Sequence, residues 1–325
     1  MKSPMARITC TLSLLAALQL SPCEAQLYFQ NAAGVTFGSV HTVVRNVEAT
    51  KKFWTLFGAK PMTIDGIDVM KLPGAFIFLH PGELAGPSQG AIVDHIGVNS
   101  PNPYELMKRL VAAGVKTDPI NPTTLRDPAW VRTKPQQTWT HVYSPDGLGV
   151  EIETDPCVFT PPTGRLSADD VCPETIATAA ENGDPAAPVG FYQLHLYLKD
   201  ADAVKAFRAF YTQNFKAEII RSTGVNFQVP GAKLVIEPSP DGVRASNKGR
   251  ALDSVGFEVK NLEEFCKKLE AAGVKFDELY SKTRDKSLAH ASFTDAWGVR
   301  VQLTEGLRPV CPIPPYQGPF ICSSE

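Results

Sequence analysis

The sequence predicts an α+β protein of two tandem domains, each built from paired strand–helix–three-strand modules that form a cupped, mostly antiparallel sheet. Three observations predict it: an internal repeat, the order of elements inside each copy, and the turn-rich segments that separate the copies. Leu110-Val-Ala-Ala-Gly-Val-Lys-Thr-Asp118 recurs as Leu269-Glu-Ala-Ala-Gly-Val-Lys-Phe-Asp277. At the same offset, residues 93–98 (VDHIGV) match residues 252–257 (LDSVGF). Residues 40–44 (VHTVV) parallel 194–198 (LHLYL), and 144–152 (SPDGLGVEI) loosely parallel 294–303. These repeats set a first domain at 36–155, a linker at 156–187 rich in Pro, Ala, Asp and Thr, and a second domain at 188–305.

Each element follows from local signals. Residues 39–45 form an apolar strand that leads into a helix at 47–57, with Asn46 as its cap and Gly58 as its stop. Short strands are predicted at 60–64, 69–72 and 75–79. The order then starts again: a strand at 92–99, a helix at 104–113 ended by Gly114, and strands that close at 139–143 and 149–154. A helix followed by several strands argues against a doubly wound parallel sheet.

The ends have a different character. Lys2 and Arg7 precede an apolar run at 8–20, and small residues stand at Cys23 and Ala25. This is the pattern of a signal peptide over residues 1–25, and it predicts export from a bacterial cytoplasm, to the periplasm or outside the cell. Residues 306–325 form a Pro- and Cys-rich tail. In an oxidising compartment, Cys157 is expected to pair with Cys172 and Cys311 with Cys322, each closing a local loop. Cys266 falls in an amphipathic helix and is expected to remain a thiol. With 32 basic residues against 34 acidic ones, nothing in the charge favours nucleic acid or an anionic membrane. The expected partner is a small-molecule substrate. No membrane span is expected once the leader is removed, and a homodimer is left open.

One constellation carries chemistry. His41 lies on the first strand of the first module and His95 on the first strand of the second. Glu151 lies on the last strand of the second, after a Ser-Pro-Asp-Gly turn. If the two modules of a domain curve around one cup, these three side chains converge there. Two imidazoles and a carboxylate on one side of an ion leave its other positions open. His141 and Tyr143 share a face of the preceding strand. His141 is a candidate acid/base, and Tyr143 is a candidate donor to an oxygen on the metal.

Residues 93–98 and 144–152, together with the order of elements, resemble the vicinal oxygen chelate superfamily. That group includes glyoxalase I, extradiol dioxygenases, epimerases and bleomycin-resistance proteins. The resemblance covers both repeats and omits the leader, linker and tail. It implies four ligand places, on the first and last strands of paired modules. These fall on His41, Phe78, His95 and Glu151 in the first domain, with His80 two residues beyond Phe78 on the same side. In the second they fall on His195, Val235, Ser254 and Gln302, a degenerate copy in which Glu237 is the one nearby carboxylate. An apolar residue among two histidines and a glutamate is similar to the extradiol pattern. The resemblance thus implies one divalent ion, Fe(II) or Mn(II) before Zn(II), and a dioxygenase acting on an aromatic diol. A glyoxalase- or epimerase-like lyase or isomerase, and a metal-free sequestering protein, are the alternatives.

Overall fold

The computed structural model describes residues 27, 30–100, 103–119, 137–154, 189–219, 226–284 and 287–307. The leader, the linker, the tail beyond residue 307 and the four cysteines expected to pair lie outside these residues.

Four modules follow one another. The first holds β1 (Val35–Val44), α1 (Val47–Thr55), β2 (Lys60–Ile64), β3 (Ile67–Leu72) and β4 (Ala75–Pro81). The second holds β5 (Val93–Asn99), α2 (Pro103–Ala112), β6 (Lys116–Thr117), β7 (Gln137–Tyr143) and β8 (Gly149–Thr154). The third holds β9 (Gly190–Leu198), α3 (Ala201–Phe215), β10 (Glu218–Ile219), β11 (Asn226–Val229) and β12 (Ala232–Pro238). The fourth holds β13 (Ser254–Val259), α4 (Leu262–Ala271), β14 (Phe276–Lys282), β15 (Ala289–Thr294) and β16 (Arg300–Glu305). Asn46 caps α1 by accepting from Ala49 N at 3.0 Å.

The modules combine differently from the expected sequential pairs. One eight-stranded sheet runs β14-β15-β16-β13-β1-β4-β3-β2, and the other runs β10-β11-β12-β9-β5-β8-β7-β6. The first sheet therefore joins modules one and four, and the second joins modules two and three. Antiparallel pairs β1–β13 and β5–β9 lie at the two centres. The connectors between modules explain the exchange. Residues 82–92 carry the chain out of the first sheet and into the second, and residues 239–253 carry it back. The two connectors lie side by side, bridged at Gly86–Arg250 and Ala91–Ala245. Ala85 N donates to Gly249 O at 2.7 Å, and Ile92 N to Ala245 O at 3.0 Å. Those bonds satisfy the crossing backbone, so neither connector folds back to pair its own two modules.

One apolar core lies between the sheets. Val40, Ile77, Ile96, Val150, Leu194 and Val301 point into it from alternate strand positions. Phe37 of β1 stacks on Phe191 of β9, with ring centroids 4.4 Å apart, which adds about 1 kcal/mol beyond the buried area. The helices lock sequential modules together through the turns between the last two strands. Asp146, after β7, accepts from Thr50 Oγ1 of α1 at 3.1 Å and pairs with Arg45. Asp295, after β15, accepts from Tyr211 of α3 at 3.0 Å and from Val299 N at 2.8 Å. Cys266 is a buried free thiol on α4, and burial pushes its pKa up to about 11.

Burial also pushes the Asp295 carboxyl up from 3.8 to about 6, against the pull of its hydrogen bonds. The folded chain thus holds this proton more tightly than the unfolded one does. The stability gained is complete below about pH 4 and is lost as pH rises through about 6. Thermal denaturation of Asp295→Asn should show a smaller fall in stability from pH 4 to 7 than the parent. Equal falls in both proteins would show that this carboxyl does not titrate there.

Candidate metal centre

The β5–β9 pair builds the centre. The register sets His95 directly opposite His195, and their ring centroids are 4.6 Å apart. Glu151 stands on the neighbouring strand β8, beside Gly97. Alternation puts Ile96 and Val150 into the core, so His95, Glu151 and His195 turn to the concave face. One donor atom from each of these three lies within 4.8 Å of the others. Among the described residues this is the one such group.

The expected set of His41, His95 and Glu151 is therefore not brought together. His95 and Glu151 meet, but His41 belongs to the other sheet, where it faces Ser254 across β1–β13. His195 of the third module occupies the place expected for His41. The reason is the exchange of modules: β5 pairs with β9, not with β1. A histidine assigned to a degenerate copy thus completes the centre, and the reading of 188–305 as a scaffold without ligands changes with it. The repeat itself held the signal, since Val40–His41 and Leu194–His195 align. What it did not contain was the partner.

The charges at the centre are strongly coupled. Burial works against a charged His95, but hydrogen bonds to Asp94 and Glu151, and their charges, outweigh it and raise its pKa to about 9. Asp94 Oδ1 is 2.9 Å from His95 Nδ1, and Glu151 Oε2 is 3.3 Å from Nε2. Arg244 lies 3.5 Å from Asp94 and stacks over Tyr197. His195 is held below its ordinary value, first by burial and then by the charge on His95. Its Nε2 is buried without a hydrogen bond, although a Glu237 oxygen lies 3.4 Å away. Two imidazoles and one carboxylate, with one imidazole nitrogen buried and without a hydrogen bond among the described residues, fit a divalent ion.

His141 also reaches this face. It sits opposite Glu151 in the β7–β8 pair, with its Nε2 3.4 Å from His95 Nε2. Burial, then the charge on His95, hold it below its ordinary pKa, so it is neutral near pH 7. Asp118 lies 3.4 Å from His141 Nδ1 and accepts from Tyr143 at 2.7 Å. The Tyr143 hydroxyl expected to serve the metal's oxygen is thus given to Asp118. Burial and that carboxylate raise its pKa to about 12. Asp118 was not singled out in the sequence, since an aspartate after a helix-ending glycine reads as a turn residue. The side chains of His95 and Glu151 are 7% and 9% exposed, against 29% for His141 and 43% for Glu237. The centre is therefore closed at its base and open toward His141 and Glu237. A cavity of about 670 Å³ along α3, lined by Val204, Arg208 and Ile236, lies on the other face of β12.

The matching cup of the first sheet is closed by its own contacts. His41 Nδ1 is 3.0 Å from His80 Nε2, and His41 Nε2 is 3.0 Å from Ser39 Oγ. Phe78 stacks on His41 at 4.5 Å. Burial, then His80 and Arg300, lower the His41 pKa to about 3. Leu27 and Leu307 pack with Phe76 and Phe78 in a small apolar cluster there. Ser254 and Gln302 stand where His95 and Glu151 stand in the other sheet.

Residues 182–303 match the family model of the Glyoxalase/Bleomycin resistance protein/Dioxygenase superfamily. The match spans the third module and most of the fourth. Glyoxalase I from Zea mays has a similar fold, with TM-score 0.55 and 15% identity, covering 85% of this chain and 94% of that one. A glutamate-to-glutamine mutant of the same protein gives 0.56 and 15%, covering 85% and 96%. A Bacillus subtilis protein provisionally described as a dioxygenase gives 0.53 and 13%, covering 87% and 86%. At such identities the likeness is one of fold. No curated protein matches the sequence. The α+β class and the order of tandem modules are those predicted from the repeat, while the pairing of modules is not.

Metal titration should find one ion per chain. His195→Ala and Glu151→Ala should lose it, whereas His41→Ala and Gln302→Ala should keep it. Retention in His195→Ala with loss in His41→Ala would place the centre in the other cup. Binding at His95 Nε2 must displace a proton held up to about pH 9. Affinity should therefore rise about tenfold per pH unit toward that value and then level off. Asp94→Asn should move the break to lower pH.

Proposed function

We propose that this chain is a single-metal enzyme that binds a small substrate through two adjacent oxygens, and that it is an extradiol-type dioxygenase acting on an aromatic diol. One observation carries the reading. His95, His195 and Glu151 converge, and the residue paired with His195 on β12 is Val235, which cannot ligate. Imidazole, apolar residue, imidazole and carboxylate is the extradiol-like order, now drawn from modules three and two. A divalent ion held here supplies Lewis acidity to the two oxygens and, as Fe(II) or Mn(II), the redox capacity that ring opening by dioxygen needs.

The protein's own groups have distinct tasks. Glu151 and the two histidines would hold the ion at the closed base of the cup, and the cup is open to a substrate toward His141. His141, neutral and with Asp118 at its Nδ1, presents Nε2 toward the centre. It accepts a diol proton and returns it later. Asp118 sets the tautomer that makes Nε2 the acceptor, and Tyr143 fixes Asp118. Tyr143 and Tyr197 give the cup aromatic walls suited to a flat ring. Export is part of this proposal, supported by the leader-like pattern at residues 1–25.

Glu237 favours a second reading. A carboxylate 3.4 Å from His195 and open to solvent suits removal of a proton beside a carbonyl, as in a lyase or isomerase.

An oxygen electrode separates the readings. The Fe(II)- or Mn(II)-loaded protein with simple catechols should consume one dioxygen per diol, with loss of the catechol absorbance. His141→Ala should lower kcat by ~10²–10⁴-fold with the ion still bound. Anaerobic turnover of a hydroxycarbonyl compound, abolished by Glu237→Gln, would establish the second reading. Failure to bind Fe(II), Mn(II), Zn(II) or Ni(II) would leave a metal-free binding protein.

A further inference from the structure

The concave face of the second sheet carries a buried polar residue beside Glu151 that neither of those readings uses. Gln193 lies on β9 two residues before His195, on the same face, and is 1% exposed. Its partner across the β5–β9 pair is Gly97, and Gly97 is in turn the partner of Glu151 across β5–β8. Gln193, Gly97 and Glu151 thus form one row across three strands.

The middle of that row has to be glycine. A Cβ there would lie 2.4 Å from Gln193 Cγ and 3.1 Å from its Cδ. With that space empty, the glutamine side chain lies across the backbone of β5, and its Nε2 donates to Glu151 Oε2. Gln193 Oε1 is buried with no hydrogen-bond partner among the described residues. Turning the amide over would set its oxygen against a carboxylate. The carboxylate therefore dictates the orientation, and the amide oxygen bears the loss of its donor.

The other sheet provides an internal comparison. There the row is Ser39, Gly256 and Gln302. A Cβ on Gly256 would lie 2.0 Å from Ser39 Oγ, so the backbone is built the same way. Ser39 is shorter and bonds its own strand's His41 at 3.0 Å instead. The cup that keeps a carboxylate is the one that keeps a cross-strand amide long enough to reach it.

We infer that Gln193 is a positioning residue that fixes the Glu151 carboxylate for the metal, through the gap left by Gly97. This rests on reading His95, Glu151 and His195 as a metal centre. Gln193→Met keeps the length and volume of the side chain and removes its N–H. Gln193→Asn keeps the amide but stops short of Glu151. Mn(II) and Zn(II) affinities are measured by competition with a chromophoric chelator. The melting temperature of each metal-free protein and the visible spectrum of its Co(II) form are recorded alongside. Both variants should bind ~10–100-fold more weakly than the parent, the range for groups that orient a ligand. The metal-free melting temperature should stay within a few degrees of the parent's, and the saturated Co(II) bands should shift. Parent-like affinity and spectrum in both variants, with Glu151→Ala still losing the ion, would overturn this inference and leave the metal centre standing. So would metal-free proteins that melt far below the parent, which would make Gln193 a packing residue. A parent that binds no ion overturns the centre and this inference together.

Discussion

The antiparallel pairing of β5 with β9 is the contact on which the site depends. It sets two imidazoles opposite each other across one backbone pair, the closest spacing a sheet allows between strands. β8 adds the carboxylate from one side, β12 adds Val235 and Glu237 from the other, and β7 brings His141 over the carboxylate. All of them reach the same face because side chains alternate along a strand. A shift of one residue in the β5–β9 register would turn His195 toward the core.

The two cups show how one backbone plan supports chemistry in one place and closure in the other. In the first sheet both nitrogens of His41 have partners, Phe78 covers its ring, and Leu27 and Leu307 add apolar bulk. That network is neutral and satisfied, as a core requires. In the second sheet the buried atoms without hydrogen bonds, His195 Nε2 and Gln193 Oε1, lie beside two carboxylates and a histidine of raised pKa. Unsatisfied polar atoms are costly in an interior, and two of them beside these charges in one cup are a cost that a functional site can explain.

The electrostatics of that cup have two stable solutions. Without an ion, a proton on His95 offsets Asp94 and Glu151, while burial and then the His95 charge hold the pKa values of His195 and His141 down. A divalent cation offsets the same carboxylates and needs the same neutral imidazoles. Proton and ion therefore compete for one position. Asp118 and Tyr143 stand one step further out, where they fix His141 without adding a ligand.

The sequence by itself determined the modules. Period-two apolar patterns, the Asn46 cap, the helix-ending glycines and the repeated Leu-x-Ala-Ala-Gly-Val-Lys stretch are local or self-matching signals, and they set strand and helix bounds in the first copy to within four residues. They also marked His95, Glu151 and His141 as residues of one face. Only the tertiary structure decided which modules share a sheet. The first strands of all four modules are similar apolar ribbons with a polar residue at the same step, so β5 is as well suited to β1 as to β9 by pattern alone. The choice rests on two connectors, 82–92 and 239–253, which satisfy their backbone groups on each other across the molecule. That long-range contact moves His41 into a closed core and brings His195 beside His95 and Glu151. A strand's sequence sets which face its side chains take, but the strand hydrogen-bonded beside it is set by where the rest of the chain can go.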